Sequence, residues 1–168
     1  MKNRHRKVLE LLASSGESLH GLLGRLTLDE QVTGDLLQEL FIRLGNSNGF
    51  TEARDTTAYA RRAAINLAFE WRRSQKQSLQ PLNEDCLPVP EARSTLDNMI
   101  RIEDLQQILD ATSQLSELAR QVVVMRFIEQ QSYDQIARQL GKKPQHLRAE
   151  CSKALSRLRI LLAEDKSR

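Results

Sequence analysis

The sequence predicts an all-α protein made of two small helical domains, of which the C-terminal one is a helix-turn-helix. Three observations support this: apolar residues recur at helical spacing, no segment alternates convincingly as a strand does, and a proline-containing stretch without apolar periodicity divides the chain. Its 168 residues suffice for one domain of ordinary size or for two small ones. We predict one domain over residues 1–75, a flexible linker over 76–95 and a second domain over 96–168.

The composition is that of a foldable chain, with 40% hydrophobic and 28% charged residues. No apolar run approaches the roughly 18 residues that cross a bilayer, so we expect a cytoplasmic protein without membrane insertion. Cys86 and Cys151 lie far apart without metal-ligand spacing. The sequence also offers no nucleophile–base array and no glycine-rich phosphate loop. We therefore expect no enzyme activity, no catalytic residue, no metal and no cofactor.

Charge is divided unevenly along the chain. Residues 1–80 carry 12 Lys and Arg against 9 Asp and Glu, residues 81–114 carry 2 against 7, and residues 115–168 carry 11 against 6. Two basic ends favour contact with a polyanion at two places. The same polyanion would repel the acidic connector. The alternative is a chance partition of solvated charges.

Three helices are expected in the first domain. A short core helix is indicated by an apolar stripe at helical spacing, formed by Leu19, Leu22, Leu23 and Leu26. Thr27 and Glu30 have the spacing of a capping box, and a second helix is predicted from about Thr33 to Leu44. A polar loop over 46–55 and a third helix over about 56–74 follow.

The second helix has an acidic face on the side away from its leucines. Asp35, Gln38, Glu39 and Ile42 occupy this face. It would repel DNA, and it suits a basic helical partner with Ile42 as a small apolar anchor. Alternatively, Ile42 is a scattered exposed apolar residue that needs no explanation.

The third helix has an apolar side and, opposite to it, a mixed aromatic and basic stripe. Trp71 lies on the apolar side and is therefore predicted to be a core residue. The stripe contains Tyr59, Arg62, Asn66, Phe69 and Arg73. Exposed rings beside arginines suit single-stranded nucleic acid, because bases stack on rings while cations meet phosphates. The alternative is that Phe69 and Tyr59 cover a neighbouring helix.

In the second domain, Val122 to Ile128 is predicted to be helical despite its β-branched residues, because its surroundings are helical. Ser132 and Gln135 form a capping-box pair before a short helix, Gly141 provides a tight turn, and Pro144 suits the first position of a longer helix. This is the order of a helix-turn-helix.

The second helix of this motif has an inward apolar side and an outward side of small polar groups flanked by cations. Small groups let a helix approach base edges, and cations reach phosphates. The alternative is an amphipathic helix with a solvated basic face. The candidate DNA-binding residues are Lys142, Lys143, Gln145, His146, Arg148, Ala149, Ser152, Lys153 and Arg157.

The two domains together resemble the bacterial sigma-70 superfamily in its extracytoplasmic-function form, which has only regions two and four. The segment from Asp35 to Leu44 resembles the region-two helix, and Ala64-Ile65-Asn66 with Glu70 and Arg73 resembles the family's downstream-element pattern. The segment from Leu115 to Ala154 resembles region four. Three residues depart from the family pattern: Tyr59 replaces a usual Trp, Ile65 a common Arg, and Glu150 an arginine directed toward DNA.

The resemblance implies an RNA polymerase sigma factor that recognises the −10 and −35 promoter elements. It implies that Asp35, Gln38, Glu39, Ile42 and Arg43 dock on core RNA polymerase, that the stripe from Tyr59 to Arg73 engages the downstream element, and that the helix from Pro144 enters the upstream element. It also makes an anti-sigma factor a plausible partner. The rival interpretations are a helix-turn-helix regulator without polymerase recruitment and a protein-interaction module whose DNA contacts have decayed.

Overall fold

The computed structural model describes residues 2–78 and 95–167, without the side chains of residue 2 and residues 95–100. Every regular element in these ranges is a helix, which confirms the predicted all-α class. The N-terminal half contains α1 (Lys2–Thr27), α2 (Glu30–Asn46), α3 (Asn48–Glu52) and α4 (Thr56–Gln77). The C-terminal half contains α5 (Thr95–Ser113), α6 (Glu117–Val123), which runs into a π-helical turn over Val124–Ile128, α7 (Tyr133–Leu140) and α8 (Pro144–Lys166).

Helices α1, α2 and α4 pack against one another and form the core of the N-terminal half. The predicted leucine stripe is fully buried there, from Leu19 to Leu26. The short helix predicted for this segment is instead the second part of the 26-residue α1. Helix α1 extends toward the N-terminus because Leu11, two turns earlier, joins the same core.

The junction of α1 and α2 differs from the prediction. Leu28 adopts a left-handed conformation with φ of 59°, and Asp29 caps α2 by accepting a 3.0 Å hydrogen bond from the Val32 amide. The Thr27 hydroxyl instead lies 2.8 Å from the Thr33 hydroxyl in the buried interface. The predicted Thr27–Glu30 capping box is therefore wrong, and α2 begins three residues earlier than expected.

The predicted loop over 46–55 contains the short helix α3, whose Phe50 is fully buried. Helix α4 begins beyond Asp55, whose side chain accepts a 2.9 Å hydrogen bond from the Ala58 amide. The prolines of the predicted linker, together with Cys86, lie within residues 79–94, outside the described ranges. The proposed boundaries of the two domains stay a prediction.

The helix-turn-helix is present as predicted. The Ser132–Gln135 capping box is complete, Gly141 has a φ of 63° that an L side chain rarely adopts, and Pro144 occupies the first turn of α8. The stretch from Val122 to Ile128 is helical, with its second part π-helical.

The two halves of the chain pack against each other through α4, which contacts both α5 and α6. Buried side chains of both halves belong to one cluster, which includes Phe69 of α4 and Met125 of the π-helical turn. At one edge the buried Arg72 donates hydrogen bonds to Gln106 and Asp110 of α5. Helix α4 is therefore covered on two sides, which decides how much of its surface a ligand can reach.

Candidate nucleic-acid and protein interfaces

Helix α8 separates a buried side from an exposed side as the sequence predicts. Leu147, Cys151, Ala154 and Leu158 are buried against the rest of the C-terminal half. The structure brings all nine candidate DNA-binding residues to the surface of the helix-turn-helix, and each of them is exposed: Lys142, Lys143, Gln145, His146, Arg148, Ala149, Ser152, Lys153 and Arg157. We call this set the α8 surface.

Glu150 lies beside the α8 surface without occupying its centre. Its side chain is only 21% exposed and forms a 3.5 Å ion pair with Lys153, one turn along the helix. Because the Lys153 side chain is exposed to solvent, the pair contributes little to stability. The acid therefore lowers the positive charge at one flank and leaves the small residues at the centre of the surface uncovered.

Tyr133 and Arg126 are not among the candidate DNA-binding residues predicted from the sequence. In the structure the Tyr133 ring is half-buried, and the guanidinium groups of Arg126 and Arg148 both lie over it. The signal available in the sequence was an aromatic residue at the first position of α7 with basic residues on the adjoining elements.

The first part of the α4 stripe is partly accessible. Tyr59 is half-buried, its hydroxyl lies 2.9 Å from that of Ser47, and the Arg62 guanidinium lies 5.8 Å from its ring centroid. The ring also lies against Gly49 of α3, where a Cβ atom would come within 3.0 Å of the tyrosine hydroxyl. A side chain at position 49 would therefore require the Tyr59 ring to shift slightly.

The middle and end of the α4 stripe face the C-terminal half. The Asn66 amide donates a 2.9 Å hydrogen bond to Glu117 of α6 and accepts one of 3.2 Å from Gln121. Arg73 donates a 3.3 Å hydrogen bond to the Ser113 carbonyl at the end of α5. In this arrangement the polar groups of Asn66 and Arg73 are engaged within the chain.

The prediction that Phe69 belongs to an exposed stripe is wrong, because its side chain is fully buried. The alternative interpretation, in which it covers a neighbouring helix, accounts for its position in the core cluster. Trp71, which was expected in the core, is half-buried and packs against the same cluster. A buried ring cannot stack on a base without a rearrangement of this core.

The acidic face of α2 is exposed as predicted. Ile42 is 60% exposed, and Asp35 and Gln38 are exposed beside it. Arg43 bonds to Glu39 at 2.7 Å and to both carboxylate oxygens of Glu70 on α4, at 2.9 and 3.2 Å. The four residues predicted for this face and Arg43, which the resemblance adds to them, lie on one side of α2. We call these five residues the α2 surface: Asp35, Gln38, Glu39, Ile42 and Arg43.

Glu70 is a member of this surface that sequence reasoning did not place there. The hydrogen bond from Arg43 holds the pKa of Glu70 below its usual range, and the two carboxylates raise the pKa of Arg43. A bidentate arginine–carboxylate pair has a defined geometry. The α2 surface is thereby fixed in orientation relative to α4.

An open groove of about 430 Å³ separates the start of α4 from the end of α7. Arg54 and Arg62 line it from the N-terminal half, and Arg138 lines it from the C-terminal half.

Within the described ranges, no helix is long and apolar enough to cross a membrane. The same residues contain no group of three His, Cys, Asp or Glu side chains able to hold a metal ion.

Comparisons with known proteins agree with this arrangement. The family "Sigma-70, region 4" matches residues 105–158, which include most of α5 and the whole helix-turn-helix up to Leu158. The RNA polymerase sigma-E factor of Streptomyces avermitilis is 33% identical over 136 residues, which are 80% of this chain and 73% of that protein. The sigma-E factor of Streptomyces coelicolor is 33% identical over 144 residues, covering 84% of this chain and 78% of that protein.

A relative in Bacillus subtilis, the ECF RNA polymerase sigma factor SigX, is 28% identical over 130 residues, with 74% of this chain and 67% of that protein covered. Among solved structures, that of CnrH in complex with the cytosolic domain of CnrY has a similar fold. The TM-score is 0.53 at 17% identity, and the match covers 96% of this chain and 90% of the other.

Proposed function

The chain belongs to the extracytoplasmic-function group of the sigma-70 family of RNA polymerase sigma factors, and from that premise we propose how its surfaces divide the work of a sigma factor. A sigma factor binds core RNA polymerase, recognises the −10 and −35 elements of a promoter and promotes transcription initiation. The division assigns upstream DNA to the α8 surface, polymerase to the α2 surface and downstream DNA to α4.

The α8 surface is proposed to bind the upstream element in the major groove. The observation that carries this proposal is the joint exposure of nine residues on one side of an intact helix-turn-helix. Exposed small residues such as Ala149 and Ser152 permit close approach to base edges, while the flanking cations supply phosphate contacts.

The α2 surface is proposed to dock on core polymerase. Its centre is the exposed Ile42, and its rim carries the charges of Asp35, Glu39 and Arg43. An apolar anchor surrounded by charged groups is a common arrangement at protein interfaces. An acidic rim also keeps this part of the chain from competing for DNA.

The α4 stripe is proposed to engage the downstream element through Tyr59, Arg62, Asn66 and Arg73, without a stacking role for Phe69. Asn66 and Arg73 can reach DNA only after they exchange their present partners Glu117 and Ser113. We therefore propose that the two halves separate when the polymerase–promoter complex forms. Glu117 and Gln121 would become accessible in the same step.

In this proposal the polymerase carries out the reaction in the cytoplasm. The chain binds the polymerase and places it at the promoter. A further proposed partner is an anti-sigma factor. The solved structure with a similar fold holds CnrH together with the cytosolic domain of another protein, CnrY, which supports a protein partner for the fold.

Run-off transcription with purified core polymerase and genomic promoter fragments tests the proposal. The chain is expected to produce transcripts that core polymerase alone does not produce, and Arg148→Ala is expected to reduce them by weakening the upstream contact. DNA binding without transcripts would favour a regulator that does not recruit polymerase. DNA binding that is insensitive to salt, or absent, would favour an interaction module, because phosphate contacts lose affinity steeply as salt rises.

A further inference from the structure

Tyr133 is the first residue of α7, and two arginine side chains lie over its ring. The Cζ atom of Arg126, from the π-helical turn, lies 4.9 Å from the ring centroid, and the Cζ atom of Arg148, from α8, lies 5.4 Å from it. Both distances fall within the roughly 6 Å over which a guanidinium is attracted to an aromatic face. The ring therefore stabilises two cations that would otherwise repel each other.

The ring is held in place by contacts that do not involve Arg148. The capping box at Ser132 fixes the backbone at the start of α7, and Tyr133 packs against the core cluster. Arg126 is itself anchored, because its Nη1 atom donates a 2.9 Å hydrogen bond to the Gln131 carbonyl. The ring is thus a fixed platform at the edge of the α8 surface.

Arg148 differs in this respect from the other cations of the α8 surface. The side chains of Lys142, Lys143 and Arg157 make no hydrogen bond or ion pair with any described residue, and the exposed Lys153 side chain has only its ion pair with Glu150. A long side chain that is unrestrained before binding loses rotamer freedom when it orders against DNA. A guanidinium that already lies on a fixed ring loses less of that freedom.

We propose that Tyr133 is a positioning residue for promoter recognition, whose ring holds the Arg148 guanidinium where it meets a phosphate of the upstream element. This inference rests on the proposed function of the α8 surface. Arg148 lies on one flank of that surface, where phosphate contacts are expected. Arg126 supports the ring from the π-helical turn and is a secondary contributor.

The test compares the full chain and its variants in complex with core polymerase, on a promoter fragment that the wild-type complex selects from genomic DNA. Tyr133→Leu removes the aromatic face and is expected to weaken binding about twofold to fivefold, the range of one exposed cation–π contact. Tyr133→Phe is the matched control, since it keeps the ring and loses the hydroxyl; it is expected to bind as the wild type does. In an Arg148→Ala background, Tyr133→Leu is expected to cause no further loss.

Salt dependence separates positioning from a direct role of the ring. Arg148→Ala removes a charge and is expected to lower the slope of log affinity against log salt by about 0.9. Tyr133→Leu leaves the charge in place, so its slope is expected to match the wild type although its affinity is lower. Equal losses from Tyr133→Leu with and without Arg148, or no loss at all, would overturn the inference.

A second measurement needs no variant and covers the case in which Tyr133→Leu does not fold. In NMR spectra of the wild-type chain, the Arg148 side-chain protons are expected to resonate upfield because of the Tyr133 ring current. Arg148 resonances at their ordinary positions would contradict the inference. Failure of the wild-type complex to select any promoter would instead contradict the proposed function itself.

Discussion

The contact of Arg72 with Asp110 links the two halves of the chain, and its removal is expected to lower the free energy of unfolding. The Arg72 side chain is 3% exposed, and its Nη1 atom lies 3.0 Å from an Asp110 carboxylate oxygen. The same guanidinium donates hydrogen bonds to the Leu26 carbonyl at 2.6 Å and to the Gln106 side chain at 2.8 Å. Arg72 thus joins the end of α1 to α5 across α4.

Asp110→Ala removes one hydrogen-bond acceptor from the buried Arg72 guanidinium and leaves its other acceptors in place. Removing one partner of a fully buried ion pair costs about 3–5 kcal/mol, but Asp110 is 32% exposed and Arg72 keeps two short hydrogen bonds. A hydrogen bond to a charged group contributes about 1.5–3 kcal/mol. We therefore expect a loss of about 2 kcal/mol in the free energy of unfolding, which is roughly a 30-fold change in the unfolding equilibrium.

Denaturant unfolding followed by circular dichroism and by fluorescence measures this loss. Trp71 is the only tryptophan, and the Arg72 guanidinium lies 5.9 Å from its ring centroid, so the fluorescence reports on the perturbed region. Lys76→Ala is the matched control, because Lys76 pairs with the same carboxylate at 4.0 Å and is half exposed. The control is expected to cost under about 0.5 kcal/mol. Equal effects of the two variants would refute the assignment of Arg72 as the anchor.

Three further predictions follow from the same structure. Ile42→Asp is expected to weaken binding to core polymerase at least about tenfold, because an unpaired carboxylate would be buried in the interface; Ile160→Asp, at another exposed apolar position, is the control that should bind normally in a pull-down. Phe69→Ala is expected to lower the free energy of unfolding by about 3–5 kcal/mol, and unchanged stability with a selective loss of open complexes would restore the stacking role. Burial raises the pKa of Glu129 despite Arg61 at 3.7 Å. Between the ordinary pKa of Glu and this raised pKa, the native state therefore binds more protons than the unfolded chain does. Stability should accordingly fall as pH rises above the ordinary pKa of Glu, and this decline should be absent from a urea titration of Glu129→Gln.

Local patterns in the sequence were sufficient to predict the orientation and the start of helices that are packed on one side only. The periodicity of Leu147, Cys151 and Leu158 gave the orientation of α8 directly, and the capping box with Gly141 gave the turn that precedes it. Exposure of the α8 surface then follows, because a helix packed on one side leaves the other to solvent.

The same reasoning failed where a second element covers a helix. One helical wheel places Phe69 opposite Ala60 and Ala64, yet all three are buried, because the C-terminal half packs on the second side of α4. Such contacts between segments distant in sequence leave no periodic signal. The Thr27–Glu30 prediction failed for a local reason: the left-handed Leu28 shifts the cap to Asp29.

The central claim is that the α8 surface binds promoter DNA while the α2 surface binds polymerase in one complex. Photoreactive amino acids at positions 149 and 42, placed separately in the chain reconstituted with core polymerase on a promoter, test this claim directly. We predict that the probe replacing Ala149 cross-links to upstream DNA and that the probe replacing Ile42 cross-links to a polymerase subunit. Cross-links from position 42 to DNA, or the absence of any DNA cross-link from position 149 in a transcriptionally active complex, would contradict it.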